Sequence, residues 1–256
     1  MDEEDVYSLL DKRIKIERTE RDADDKKTYD EVFDRNTLLA LGKLISRGVI
    51  ATLDFPIATG KEGNVYRATG EDEELLAVKI YRTSTATYKN LMKYITGDPR
   101  FRSIPKDRRG IISLWAQKEY KNLLRMEKAE IPGPKPVKLL GNVLVMAYIG
   151  CGERPAPMIK DCQLADPKEI FQTLLDIMRR LYSEVQLVHG DLSEYNILVD
   201  EGRCYLIDVG QSVVLEHPLA RELLVRDIGN MARYFGKLGV ECDEKDMLEF
   251  ITEEET

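Results

Sequence analysis

The sequence predicts an α+β protein in two lobes, a β-rich first part and a helix-rich second part. Three observations carry that class. Short β-branched and aromatic runs, punctuated by turn residues, fill the stretch from Val49 to Ala147. Long segments with apolar residues at helical spacing dominate beyond Asp166. A glycine-bearing connection near residue 150 separates the two. The expected division is a helical extension over 1–50, a first lobe over 51–146 and a second over 147–256.

Residues 1–35 read as a charged helical arm. "NTLLALGKLISRGV" follows as a helix, with Asn36 or Thr37 as its cap and Gly48 as its stop. "VIATLDFPIATGKEGNVYRATG" reads as strand, turn, strand, and "LLAVKIYR" as a further strand. "SLWAQKEYKNLLRMEKA" is a helix, "IPGPKPV" rigid punctuation, and "GNVLVMAYIG" a strand. In the second half, Asp166 as cap, Pro167 at the first helical position and Glu169 three residues beyond the cap open a helix. Its stripe is Ile170, Leu174, Ile177, Met178 and Leu181. "NILVD" and "RCYLID" form two strands joined at Glu201-Gly202. "RELLVRDIGNMARYFGKLG" is another helix, and "ECDEKDMLEFITEEET" a frayed acidic helix end.

At 256 residues, 43% hydrophobic and 33% charged, the chain can bury a substantial core. No apolar run approaches the ~20 residues of a membrane span. The acidic start, Met-Asp-Glu-Glu-Asp, is not a secretory signal. Four scattered cysteines and only two histidines argue against zinc and for reduced thiols, hence a cytoplasmic location away from membranes. The net charge of −8 is uneven. Between Arg82 and Gly110 eight Lys or Arg face two Asp, a local +6 that leaves −14 elsewhere. Such a segment suits a phosphate-rich or acidic partner, or is simply a solvated loop.

The chemistry concentrates in "VHGDLSEYNILVD", where Asp191 and Asn196 sit five apart just before an apolar strand. Moving a terminal phosphoryl group requires phosphates to be cradled, their charge neutralised and a nucleophile oriented. Mg²⁺ takes hard oxygen ligands, commonly one or two carboxylates completed by phosphate and water. Asn196 and Asp208 flank the two-strand ribbon and can face one metal, while Asp191 can accept a proton from an attacking hydroxyl.

These residues resemble a protein-kinase set. His189-Gly190-Asp191 with Asn196 is similar to the catalytic loop H-R-D-x-x-x-x-N, with Gly190 in place of arginine. Asp208-Val209-Gly210 resembles D-F-G. Lys79 in "AVK" stands where the strand lysine pairs with α/β-phosphates, and Glu119 resembles its helix partner. In "ATGKEGNV", Gly60 and Gly63 hold two of the three positions of the glycine-rich loop, Ala58 replaces the first, and Val65 follows. Singly, each has an ordinary reading: Asp191 and Asp208 as turn residues, Lys79 as a solvent-facing lysine, Glu119 as an exposed helix acid. Four in order over ~150 residues point to the kinase set. His189 reads as an organiser of the loop rather than a base. Asp227 either braces that loop from a helix start or is an ordinary cap.

Only nineteen steps separate Asp208 from Asp227 and no A-P-E follows, so an ordinary activation segment does not fit. The chain also stops soon afterwards, short of a full helical lobe. "HGDLSEYN", "IDVGQSV" and the loop Thr59-Gly60-Lys61-Glu62 together resemble the RIO family of atypical serine kinases, Rio1-type branch. The resemblance runs from about residue 36 to 240 and implies a two-lobed kinase-like fold with a reduced helical C-lobe. It further implies ATP and Mg²⁺ (or Mn²⁺) as cofactors and action on a precursor of the small ribosomal subunit. Adenine would lie against Met146-Ala147-Tyr148-Ile149, with Met146, Tyr148 and Ile149 in contact. The basic stretch 82–110 falls where the family carries a flexible loop, and ribosomal RNA would suit its charge. Ser103, alone among Arg100, Arg102 and Lys106, is the candidate autophosphorylation site, and no other protein substrate is identified. The leading activity is serine protein kinase. An ATP-hydrolysing assembly switch with water or Asp208 as acceptor is the alternative, and a nucleotide-holding module without turnover ranks last.

Overall fold

The computed structural model describes residues 13–14, 33–83 and 88–253. The arm expected over 1–35 lies almost wholly outside the described residues. The first half contains α1 (Arg35–Ser46), β1 (Thr52–Thr59), β2 (Gly63–Thr69), β3 (Leu75–Tyr81), α2 (Tyr88–Ile95), α3 (Arg108–Lys128), β4 (Pro136–Leu140) and β5 (Val143–Ala147). The second contains β6 (Gly150–Cys151), β7 (Arg154–Pro155), a 3₁₀ turn (Ile159–Asp161), α4 (Pro167–Ser183), β8 (Leu187–Val188) and β9 (Ile197–Asp200). It ends with β10 (Arg203–Leu206), β11 (Val213–Val214), α5 (Ala220–Lys237) and α6 (Glu244–Thr252).

Two compact units emerge. One comprises the described parts of Met1–Lys89 with Ile104–Tyr120 and Pro136–Pro155. The other comprises Asn90–Ser103, Lys121–Lys135 and the described parts of Ala156–Thr256.

The first unit is a five-stranded antiparallel sheet in the order β1-β2-β3-β5-β4. Pro56 cannot donate a ladder hydrogen bond, and it sits where it does least harm, on edge strand β1 between two register shifts. Leu41, Leu44 and Ile45 of α1 pack with Leu53, Tyr66, Val78, Ile80, Val143 and Val145 to form the core. β3 has six consecutive buried residues, so both of its faces are covered. Lys79 therefore occupies a position where a charge demands a partner.

The second unit packs α4, α5 and α6 together, with Phe171 against Phe235 at 5.2 Å between ring centroids. Asp166 caps α4 as expected, accepting from the Lys168 and Glu169 amides at 3.0 Å each, with Pro167 as first residue. The ribbon β9–β10 turns through Glu201 (φ 48°) and Gly202 (φ 78°), the left-handed pair of a tight hairpin. β8 and β11 pair through Val188 with Val213 and Leu187 with Val214.

Four expectations are corrected. The cap of α1 is Asp34, whose Oδ1 accepts from Thr37 N at 2.8 Å, rather than Asn36 or Thr37. The basic stretch is not a loop throughout. It contains α2 and the start of α3, and Leu91, Tyr94, Ile95 and Phe101 are buried. Pro136 opens an edge strand rather than ending a rigid connection. The acidic C-terminal helix is docked: Asp243 caps it, and Met247 and Ile251 are buried. Among the described residues no helix is long and apolar enough to cross a membrane.

Candidate active site

In the first unit, the burial of β3 is resolved by α3. Lys79 Nζ donates to Glu119 Oε1 at 2.8 Å and to Oε2 at 2.7 Å, with Lys79 8% and Glu119 2% exposed. The Tyr81 hydroxyl also donates to Glu119, and the Lys79 ammonium lies 5.1 Å from the centre of the Tyr81 ring. The sequence carried no signal for Tyr81 because its i, i+2 relation to Lys79 is that of any strand.

Val65 stands opposite Lys79 on β2. The β1–β2 turn exposes Thr59, Gly60 and Lys61, and half-buries Glu62. Its two glycines differ. A Cβ on Gly63 would meet the Ile80 carbonyl oxygen at 2.3 Å, so the neighbouring strand alone requires glycine there. A Cβ on Gly60 would meet nothing nearer than 3.4 Å, and the Gly60 amide donates to the Gly63 carbonyl at 2.9 Å. The chain itself leaves space at Gly60, which fits a turn that a phosphate approaches closely. Met146 is buried within β5, between Ala77 and Pro136. The Tyr148 amide donates to the Leu75 carbonyl at 3.1 Å. That donor is committed to the sheet, and Ile149 beyond it is half-buried.

In the second unit, the five-residue spacing has a direct cause. Asn196 Nδ2 donates to the Asp191 carbonyl at 2.8 Å, closing the loop on itself. Gly190 has φ 80°, and a Cβ there would lie 2.9 Å from the Gln211 carbonyl oxygen, so an arginine could not occupy this backbone. Asp227, 1% exposed and in mid-helix on α5, accepts from the Gly190 amide at 2.7 Å and the Leu192 amide at 2.9 Å. It is a brace and not a cap. Arg226 donates to the Gly190 carbonyl and approaches Asp191 Oδ1 at 3.9 Å. Gln211 Nε2 donates to Asp191 Oδ2 at 3.1 Å. Burial pushes the Asp191 carboxyl above its ordinary value, with Arg226 opposing and Asp208 adding to the rise. Asp208 is exposed and holds φ 59°, a left-handed backbone that aspartate tolerates better than most residues.

His189 is fully buried in the same loop. Its Nδ1 accepts from the Asp191 amide at 3.3 Å, which places the proton on Nε2, facing the Ile207 carbonyl at 3.1 Å. Burial lowers its pKa from 6.5 to about 4, against the nearby Asp208 charge. A neutral imidazole with both ring nitrogens hydrogen-bonded ties the loop together.

The linkage has a definite sign. Between about 4 and 6.5 the folded state binds fewer protons at His189 than the unfolded state, so stability rises with pH. The contribution is fully present above 6.5, is lost as pH falls through about 4, and is on the order of 3 kcal/mol. Asp227 acts oppositely: burial raises it from 3.8 to about 7, so its contribution falls as pH rises across that window. Denaturation curves against pH separate the two. Wild type minus His189→Gln should slope upward from pH 4 to 6.5, and wild type minus Asp227→Asn downward to pH 7.

The structure thus brings Lys79 and Glu119 together in the first unit, and Asp191 and Asn196 onto one loop in the second, with Asp208 beyond the β9–β10 ribbon near enough to act on the Asp191 carboxyl. Ser103 is exposed. Of its cationic neighbours, Arg100 is bound internally to Asp98 and Asn122, while Arg102 and Lys106 are exposed. Gln211 and the helical position of Asp227 were not legible beforehand. Among the described residues there is no cluster of three His, Cys, Asp or Glu suited to a metal, so a cation at Asn196 and Asp208 would need ligand oxygens as well. An amide oxygen and an exposed carboxylate are the hard donors that Mg²⁺ takes.

A RIO domain family model matches residues 64–247. Serine/threonine-protein kinase RIO1 of Caenorhabditis elegans is 44% identical over 224 residues, covering 86% of this chain and 44% of that protein. RIO-type serine/threonine-protein kinase Rio1 of Haloferax volcanii is 39% identical over 235 residues, covering 92% of this chain and 81% of its own length. The chain therefore spans less than half of the worm relative and about four fifths of the archaeal one. Among solved structures, the Rio2 kinase–ADP/Mg²⁺–phosphoaspartate complex of Chaetomium thermophilum is similar at TM-score 0.65 and 22% identity. That match covers 85% of this chain and 66% of the other, a likeness of fold that supports the kinase-like α+β class.

Proposed function

The chain belongs to the RIO family, and from that premise we propose that it is an ATP- and Mg²⁺-dependent serine protein kinase of the Rio1 type. One observation carries the reading. Asp191 is half-buried with a raised pKa, and Gln211, Asn196 and the Asp227-braced backbone fix its position. Such a carboxylate is suited to accept a hydroxyl proton as the oxygen attacks the γ-phosphorus. Lys79, oriented by Glu119, binds the α/β-phosphates, and Thr59 to Gly63 with Val65 cover the nucleotide. Asn196 and Asp208 hold the Mg²⁺, which supplies charge neutralisation of the transferring group when bound. Mn²⁺ fits the same oxygen donors. Adenine lies at Met146, Tyr148 and Ile149, using backbone atoms other than the Tyr148 amide.

A second reading has its own support. Only residues 209–219 lie between Asp208 and α5, and this leaves no room for an extended peptide platform. ATP hydrolysis by an assembly switch, with water or the Asp208 carboxylate as acceptor, suits that geometry. The phosphoaspartate in the Chaetomium thermophilum relative is in keeping with it. Tracing the γ-phosphate distinguishes the two: label stable on serine supports the kinase, whereas inorganic phosphate or an alkali-labile acyl phosphate supports the switch. The partner we assign is a small ribosomal subunit precursor in the cytoplasm, touched through ribosomal RNA by exposed cations of the 82–110 segment. Ser103 is the autophosphorylation site. Mass spectrometry after incubation with ATP should find phosphate on it, and phosphate elsewhere but never there rejects that assignment.

A further inference from the structure

One turn beyond Glu119 on α3, Asn122 is fully buried and uses its whole carboxamide. Its Nδ2 donates to the Val209 carbonyl at 2.7 Å and to the Ser212 carbonyl at 3.1 Å. Its Oδ1 accepts from Arg100 Nη1 at 2.8 Å. Arg100 is itself locked: Nε and Nη2 donate to Asp98 at 2.9 and 2.7 Å, and Asp98 is 3% exposed. The orientation of the amide is therefore set by a charged donor on one side and two carbonyls on the other. The clamped carbonyls bracket Val209 to Ser212. That segment begins next to Asp208, whose left-handed backbone persists only where its surroundings determine it. It also contains Gln211, which holds Asp191 Oδ2.

We propose that Asn122 is a positioning residue, clamping the 209–212 segment so that the carboxylates of Asp208 and Asp191 are held ready together. This rests on the reading of those carboxylates as metal ligand and base. No part of the sequence around Asn122 announces it, since the carbonyls it clamps are 87 and 90 residues away and Arg100 is 22 away. Through Arg100 the same amide is tied to the basic segment that follows α2, so the clamp couples that segment to the two carboxylates.

The test uses two variants of the whole chain. Asn122→Ser keeps one donor and Asn122→Leu keeps none. Hydrogen exchange without ligands should show faster exchange confined to amides 208–213, with α5 unchanged. Mn²⁺ affinity in the presence of ADP, read by electron paramagnetic resonance, should weaken by about 10- to 100-fold, the usual loss when a residue orienting a metal ligand is removed. The serine variant should fall between wild type and the leucine variant. Phosphoryl transfer should lose kcat with little change in KM for ATP. Uniformly faster exchange across the second unit, unchanged Mn²⁺ affinity, or failure of both variants to fold overturns the clamp. Wild type that does not bind Mn²⁺ with ADP overturns instead the functional reading on which it rests.

Discussion

Truncating Glu119 to alanine should destabilise the protein by about 3–5 kcal/mol, the cost of breaking a buried ion pair by removing one member. The Lys79 ammonium is a donor only and sits on a strand covered on both faces, so truncation of Glu119 removes a buried carboxylate that accepts from it at 2.7 and 2.8 Å. The Tyr81 hydroxyl loses the same acceptor. Replacing both partners by apolar residues, Lys79→Met with Glu119→Leu, should restore much of that stability, because two desolvation penalties vanish with the pair. Activity should not return in the double variant, which lacks the cation proposed to bind the phosphates. Chemical denaturation beside a phosphate-transfer assay separates these outcomes. A stable but inactive double variant marks the pair as functional, and a Glu119→Ala protein as stable as wild type contradicts the burial argument.

Asp191→Asn should reduce phosphoryl transfer by about 10²- to 10⁴-fold, the range for loss of a positioned general base. The substitution preserves shape, and asparagine can still accept from Gln211, so the loop should keep its closure through Asn196 and its brace at Asp227. Affinity for ATP should be nearly unchanged, which distinguishes loss of a base from loss of the site. On the proposed mechanism, activity in the wild type needs an ionised Asp191. Its carboxyl is raised by burial, so the acid limb of the rate profile should lie above the range of an ordinary aspartate. Asparagine should abolish that limb.

The site was legible to the extent that its residues carry local signatures. Lys79 stands in an apolar strand, and Asp191 and Asn196 interrupt two apolar runs at a fixed spacing. The supports were not legible, because they are long-range. Asp227 lies in an amphipathic helix where an acid is unremarkable, and its partners are 35 and 37 residues away. Asn122 has no local partner at all. The fold shows the same division. The sequence offered Asn36 or Thr37 as the cap of α1, and Asp34 is selected instead by tertiary partners, since its other oxygen accepts from Thr83 and Arg109. Charge obscured α2, where Leu91, Tyr94 and Ile95 form a buried i, i+3, i+4 stripe within a basic run. Acidity likewise obscured the docking of α6, whose two anchors Met247 and Ile251 are four apart.

On the proposed mechanism, the carboxylates at 191 and 208 move the γ-phosphate of ATP with a divalent cation at Asp208. The direct measurement is single-turnover release of label from γ-labelled ATP by wild type and by Asp208→Asn, each with and without Mg²⁺. Asparagine accepts the left-handed backbone at 208, so the comparison isolates the charge. Wild type should release label only with Mg²⁺, and the variant about 10²- to 10³-fold more slowly, as expected when a group stabilising transition-state charge is lost. Equal release by both proteins, or release from wild type without any divalent cation, would contradict it.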